Sequence, residues 1–352
     1  MPKDAFDGLK TRLRGPGYLP GGAGYEESRT VWNAMIDRKP VAIARCLGGA
    51  DVIAGVRFAR EHDLLLCIKG GGHNIAGLAM ADGGNFGVVS GIDYSLFPVG
   101  PEIVGGLVAW PASEAPGVLE LYRTLAEQAS PELTLAALLR PAPPAPWLPR
   151  EVHGKPIVAI LACHSGGVEH GEKSVAPIKS FGKPIGDVLV RRPYTQLQSM
   201  LDATQPKGRR YYWKSEYLPR VEPALLEKAI GHAAKIRSLR SAVILFQIGG
   251  ALNNLKEDYA PVGNRDARSV LNIAGSWELA GEDAMNIEWA RNAWKDLKSF
   301  STGGTYISFL TDDESSARVK AALGKGLKRL TEVKATWDPQ NVFHTNRNNK
   351  PG

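Results

Sequence analysis

The sequence predicts an α+β fold, and three observations lead there. Strand-like apolar runs recur between residues 86 and 310, segments of helical period separate them, and a strand–helix–strand unit near the N-terminus ends in a run of glycines. Seven such strands with helices between them predict an antiparallel sheet with helices on one face. At roughly 150 residues per domain, 352 residues favour two domains, or one large domain with a subdomain.

The first predicted strand is the apolar run Val41-Ala42-Ile43-Ala44 after Pro40. Asp51 then leads a helix whose apolar face is Val52, Ile53, Val56 and Ala59, and His62-Asp63 ends it. Leu64-Leu65-Leu66-Cys67-Ile68 reads as the next buried strand, completing a βαβ unit on a parallel sheet. Lys69-Gly70-Gly71-Gly72-His73-Asn74 follows at once. Consecutive glycines at a strand's carboxyl end let several N–H groups converge on one point, a nest for phosphate or pyrophosphate with Lys69 adding charge. A tight turn with a solvent-facing histidine fits the same residues.

Beyond residue 86 the predicted strands are Phe86 to Val89, Gly106 to Trp110, Leu133 to Leu139, Ile157 to Ala162, Ala242 to Ile248, Ser269 to Ala274 and Thr305 to Leu310. Helices are expected near 114–128, 169–180, 222–236, 282–299 and 314–335. Pro141 to Trp147 is an extended loop, and no solenoid repeat is present.

Composition narrows the function. A 43% hydrophobic chain buries real cores, which excludes disorder as the main state. The longest apolar runs fall well short of the ~20 residues that cross a bilayer. Met1 to Asp7 has no apolar segment behind its charge, so the expectation is a soluble, cytoplasmic protein with no membrane partner. The balance of 43 basic against 36 acidic residues, formally +7, is modest and spread along the chain. Its one basic-aromatic patch, Lys207 to Lys214, reads as a solvated loop entering a strand, and no nucleic-acid partner is expected. Cys46, Cys67 and Cys163 have neither zinc spacing nor the number for a disulfide framework, and Cys46 and Cys67 read as buried, inert thiols.

Several segments, in order, resemble one family. They are Val31-Trp32-Asn33-Ala34-Met35-Ile36-Asp37, the Gly70-Gly71-Gly72-His73-Asn74 loop, Tyr194 to Asp202, Arg210 to Ser215, Gly304 to Phe309, and Asp338-Pro339-Gln340-Asn341-Val342-Phe343 running to Asn346-Arg347-Asn348. The set is similar to FAD-linked oxidases, the berberine-bridge-enzyme-like members of the vanillyl-alcohol-oxidase superfamily with a PCMH-type FAD domain. The resemblance implies an FAD domain built from both chain ends, residues 1–94 and 331–352, with a substrate domain inserted at 95–330. It implies FAD bound by Lys69, Gly70, Gly71, Gly72, His73, Asn74, Asn346 and Asn348, with His73 matching the histidine that carries a covalent bond to the flavin.

One departure stands out. Asp82-Gly83-Gly84 runs straight into Asn85-Phe86-Gly87-Val88-Val89, where the family places a subdomain, on the order of a hundred residues, between two glycine pairs. Its loss implies doubtful FAD occupancy and apolar surface free for self-association. The chemistry implied is hydride transfer from a small alcohol, sugar or secondary metabolite to flavin, with molecular oxygen as acceptor. Tyr306 matches the family's catalytic tyrosine, although Ser308 replaces the asparagine two residues on, and a packed surface tyrosine fits as well. Tyr212 and Trp213 read as cleft-lining or core residues, and Arg265-Asp266 receives no catalytic role. The competing reading is a flavin-free remnant that binds a small molecule or a protein.

Overall fold

The computed structural model describes residues 3–76, 85–311, 313–344 and 348–352. The chain forms two compact units, Met1–Ser95 with Leu327–Gly352, and Leu96–Gly326.

The first unit begins with α1 (Lys3–Lys10), β1 (Gly17–Tyr18), α2 (Tyr25–Arg29), β2 (Ile43–Ala44) and α3 (Gly49–Glu61). Phe6 and Leu9 of α1 are buried against Phe58 of α3, with Leu13, Leu19, Ala42 and Leu64 around them. Asp51, in the first turn of α3, is fully buried and accepts from the amides of Arg14 (2.8 Å), Leu47 (2.8 Å) and Gly15 (3.2 Å). Those bonds hold its carboxyl below the usual carboxylate range.

The βαβ expectation fails here. Only Ile43–Ala44 of the first apolar run is a strand, and it pairs antiparallel with Gly17–Tyr18. Residues 64–68 form no strand, Leu65 is 70% exposed, and Phe86 to Val89 is irregular with Val89 72% exposed. A buried parallel strand needs hydrogen-bonded neighbours and cover on both faces. Among the described residues of this unit, no strand pairs with either run. Cys46 and Cys67 are exposed, contrary to the buried reading, while Cys163 is half-buried.

The second unit follows in chain order as β3 (Glu102–Pro111), α4 (Ala115–Gln128), β4 (Leu133–Pro141), β5 (Pro156–His164), α5 (Val168–Lys179), β6 (Gly186–Asp187), β7 (Val190–Pro193), α6 (Tyr194–Ser199), β8 (Arg210–Leu218), α7 (Pro223–Ala233), β9 (Ala242–Gln247), α8 (Ala251–Asn254), β10 (Ser269–Trp277), α9 (Asp283–Leu297) and α10 (Ser316–Leu323). Its strands form one antiparallel sheet in the order β6-β3-β5-β4-β9-β10-β8, with β7 also on β3. The stretch 186–193 pairs as two short pieces because the chain crosses β3 at Gly106. There φ is +144°, and a Cβ would lie 2.0 Å from the Val188 carbonyl oxygen.

Strand alternation assigns the faces. Glu216 of β8 meets Trp294 of α9, and His164 of β5 meets His170 of α5. Following the register across the sheet, Glu216, Leu271, Leu245, Ala137, Ile160 and Val108 share that face. Helices α4 and α7 complete the layer, α7 packing on both α4 and α9. The predicted helices near 114, 169, 222 and 282 are these four. Pro141 to Trp147 folds back onto the sheet, burying Ala142 beside Ala109 and Ala159. The last expected helix divides, and the strand expected at Thr305 to Leu310 is a short 3-10 turn, Ile307–Phe309. After Thr302 and Gly304 pair with Tyr217 at the β8 edge, the chain turns away instead of continuing the ladder.

The first unit closes with α11 (Leu327–Trp337). Lys334 is fully buried and donates to Asp338 (2.6 Å) and to the Phe343 carbonyl (2.7 Å). Asp338 in turn accepts from the amides of Val342 (2.8 Å) and Phe343 (2.9 Å), so the Asp338-to-Phe343 motif is a capped turn around a buried ion pair. Burial pushes the Asp338 carboxyl up, but the bonds from Lys334, Phe343 and Val342 outweigh it and hold it below the ordinary value. Its stabilisation is complete above the unfolded carboxylate value and fades as pH falls through the lowered folded one. Asp338→Ala leaves the buried Lys334 ammonium without its counter-charge and is expected to destabilise by about 3–5 kcal/mol. A denaturant midpoint unmoved from the parent's would contradict this role.

Candidate functional site

The glycine loop is positioned by the Val31-Trp32-Asn33 segment. The Trp32 amide donates to the Gly72 carbonyl (2.9 Å), the Trp32 ring stacks on His73 at 6.1 Å and 25°, and Asn33 Nδ2 donates to the Ile75 carbonyl (2.7 Å). Asn74 Oδ1 accepts from the Ala76 amide (3.0 Å). Gly72 has φ +73° and packs on Val31, so glycine is needed there for backbone reasons. Gly70 and Gly71 are different, because a Cβ at Gly70 would meet nothing and one at Gly71 only the His73 ring, at 3.8 Å. Nothing in the described chain asks for glycine at those two positions.

The amides of Gly70, Gly71, Gly72 and His73 have no acceptor among the described residues, and His73 is exposed. Gly70, Gly71 and His73 are exposed, and their unused donors suit the anionic or polar edge of a ligand, while Gly72 is buried against Val31; a flat ring can approach where side chains are missing. Lys69 does not sit as a free charge at this nest. Its Nζ donates to the carbonyls of Ser28 (2.7 Å) and Thr30 (2.8 Å), which ties the loop to the end of α2. Asn346 lies outside the described residues. Asn348 has a buried Oδ1 with no partner, and the next amide, of Asn349, donates to Asn85 Oδ1 (3.1 Å). These residues fit a flavin nucleotide by donor chemistry and by space.

In the second unit the sheet face away from the helices carries Trp213, Ser215 and Tyr217 of β8, Val270 and Asn272 of β10, and Ile244 and Phe246 of β9. Tyr306 stands over this face, 41% exposed and edge-on to Phe309 at 5.1 Å, and Phe309 packs edge-on to Trp213 at 5.3 Å. The Tyr217 hydroxyl is pushed up to about 12 by burial and by the nearby Tyr306. Tyr306 therefore lies on a turn, not on the strand expected from the sequence.

That turn is clamped on both sides. Before it, the hydroxyls of Ser215 and Thr305 are hydrogen-bonded. After it, Lys214 donates to Thr311 (3.1 Å), Asp313 (2.8 Å) and Glu314 (2.7 Å). Tyr212 and Arg291 also bond Asp313, so Tyr212 faces the helices while Trp213 faces the turn. Burial raises the Asp313 carboxyl, but Lys214, Thr311, Tyr212 and Arg291 together hold it far below the carboxylate range.

Asn272 was not singled out in the sequence. It is 2% exposed in the middle of this face, opposite Ser215 and Ile244, and its Oδ1 has no hydrogen-bond partner. A buried polar atom without a partner costs about 1–3 kcal/mol, which a ligand donor can offset. The available signal was an asparagine inside Ser-Val-Leu-Asn-Ile-Ala, an otherwise apolar strand.

Comparison with known proteins gives a consistent picture. Residues 305–348 match the family model described as Berberine and berberine like. The chain is 24% identical over 272 residues to an FAD-linked oxidoreductase of Dictyostelium discoideum, covering 76% of this chain and 56% of that protein. It is 20% identical to the (R)-6-hydroxynicotine oxidase of Paenarthrobacter nicotinovorans, with 96% of this chain and 97% of the relative covered. That alignment runs over 457 positions, so at least 105 of them hold no residue of this 352-residue chain. The crystal structure of 6-hydroxy-D-nicotine oxidase from Arthrobacter nicotinovorans shares the fold, with a TM-score of 0.80 at 17% identity over 97% of this chain and 98% of that one. The chain thus spans little more than half of the Dictyostelium relative. Among the described residues no helix is long and apolar enough to cross a membrane.

Proposed function

We propose that this chain, a relative of the FAD-linked oxidoreductases with a berberine-type C-terminus, is an FAD-dependent oxidoreductase acting on a small alcohol, sugar or secondary metabolite. The observation that carries the reading is the nest at Gly70–His73, with four unused amides, two glycines that the fold itself does not require, and an exposed imidazole. Gly70, Gly71, Gly72, His73 and Asn74 would hold FAD, with the Asn346 and Asn348 amides as further contacts and Lys69 securing the loop from behind. When bound, FAD takes a hydride from a substrate carbon and passes two electrons to dioxygen, yielding hydrogen peroxide.

In the second unit Asn272 would accept a hydrogen bond from the substrate hydroxyl or amine, and Trp213 and Phe309 would flank its apolar part. Tyr306 would take the proton released as the hydride leaves. Its clamped turn limits where the phenol oxygen can go, which is how the protein orients a base without a strand beneath it.

A second reading, a flavin-free remnant that binds without catalysis, is favoured by the alignment positions missing from this chain and by exposed Val89, Ile92, Tyr94, Leu96 and Phe97. We place the missing stretch at Gly84-Asn85, where the two glycine-pair contexts run together. Anaerobic addition of small alcohols, amines and sugars to the FAD-reconstituted full chain separates the readings. Bleaching by at least one compound and recovery of colour in air is expected. A chain that takes up no FAD on reconstitution would favour the remnant.

A further inference from the structure

Two cations without a counter-charge mark one end of the same sheet. Arg140 is on the face of β4 that carries Ala136 and Leu138, and Leu138 pairs with Ile244 of β9. Extending that register by one pair sets Arg140 beside Ala242, and the turn leading into β9, closed by a bond from the Ser241 amide to the Ser238 carbonyl (3.2 Å), carries Arg240. Side-chain contacts agree with this placement. Arg140 Nη2 donates to the carbonyl of Leu239 (3.3 Å), the residue before Arg240, and Arg140 Nε to the Pro141 carbonyl (3.3 Å). Arg240 Nη1 donates to the Ala203 carbonyl.

Among the described residues only carbonyls accept from either guanidinium, and no carboxylate pairs with them. The neighbouring arginines differ: Arg209 pairs with Glu278 and Arg210 with Asp283. The nearby Tyr211 phenol donates to the Pro206 carbonyl (2.5 Å) and is pushed up to about 12 by burial, so it stays neutral and supplies no negative charge. Both arginines are only partly exposed. Burial and the like charge of Arg240 pull Arg140 down to about 10. Two close, partly buried cations are unfavourable until an anion joins them.

We propose that Arg140 and Arg240 form an oxyanion site that takes a carboxylate or phosphate group. Each guanidinium has five N–H donors in a planar fork, and the carbonyl bonds use two on Arg140 and one on Arg240. The remaining donors can grip two oxygens of one anion, as bidentate arginine sites do. Asn272 stands opposite Ile244, whose partner on β4 is Leu138, so Arg140 lies two strands over, at ~4.8 Å each, and two residues, ~7 Å, further along. The site is thus distinct from the reacting position, and it needs no flavin.

The test is thermal unfolding and calorimetric titration of the full chain with inorganic phosphate and, separately, with succinate, at ionic strength held constant with sodium chloride. Saturable binding of at least one of the two is expected, and which one binds tells a tetrahedral from a planar oxyanion. Arg140→Met and Arg240→Met are expected to lower the affinity at least tenfold, while Arg191→Met, on β7 beside β3, leaves it unchanged. If either Met variant fails to fold, Arg240→Lys, which keeps the charge but loses the fork, is expected to weaken binding by a similar factor. Absence of saturable binding by both anions, or equal affinity in the parent and in the Arg140 and Arg240 variants, would overturn the assignment.

Discussion

Full-length chain incubated with FAD and oxygen is expected to keep flavin fluorescence through acid precipitation and denaturing electrophoresis, and His73→Ala to lose it entirely. The expectation rests on where the imidazole sits. Trp32 stacks on it, the Trp32 amide fixes Gly72 beside it, and the small residues before it leave its edge open. The His73 imidazole would bond to a methyl carbon of the oxidised flavin ring, losing its N–H proton as the carbon loses one, with dioxygen taking up the two electrons and both protons as hydrogen peroxide. If the half-site binds weakly, a slow covalent step still accumulates product, because attachment removes dissociation. Fluorescence retained in His73→Ala, or flavin fully extractable from the parent, would show that His73 is not the attachment point.

Tyr306→Phe is expected to lower the rate of flavin reduction by about 10²–10⁴-fold, the usual contribution of a positioned general base. The substitution keeps the ring against Phe309 and removes only the hydroxyl, so folding should be unaffected. Rapid-mixing measurement of flavin bleaching under anaerobic conditions checks it. Lys214→Met bears on the same point from a distance, because it removes two of the bonds that hold Asp313 and Glu314 and so loosens the turn after Tyr306. A reduction rate within a factor of a few of the parent's in Tyr306→Phe would remove Tyr306 from the chemistry.

Much of the second unit was legible in the sequence because its strands are long and its helices amphipathic. Leu133 to Leu139 and Ser269 to Ala274 lie in the interior of the sheet, where an apolar run between turn signals has one interpretation. The same signal misled at Leu64 to Ile68 and Phe86 to Val89, since periodicity reports what a run could bury and not whether a neighbour is present to pair with it. Tyr306 was found by resemblance, but its turn was not, because the switch from edge pairing to a 3-10 turn depends on Ser215, Thr305 and Lys214, residues 90 or more apart in one case. Asn272 and the Arg140–Arg240 pair were missed for a related reason. Their meaning lies in partners that are not there, and a sequence displays residues without their neighbours. The Asp338-to-Phe343 motif could be recognised but not explained until Lys334 was seen beneath it.

The most direct measurement of the central claim is the ratio of FAD to chain, taken after gel filtration and again after titration with FAD, in the parent and in Gly71→Val. The valine Cβ at that position would meet only the His73 ring, at 3.8 Å, and its two methyls would occupy the space that a cofactor would need. The account predicts less than one FAD per chain as purified, saturation near one on titration, and loss of binding in Gly71→Val with an unchanged melting temperature. No saturable binding in the parent, or equal binding in the valine variant, would contradict it.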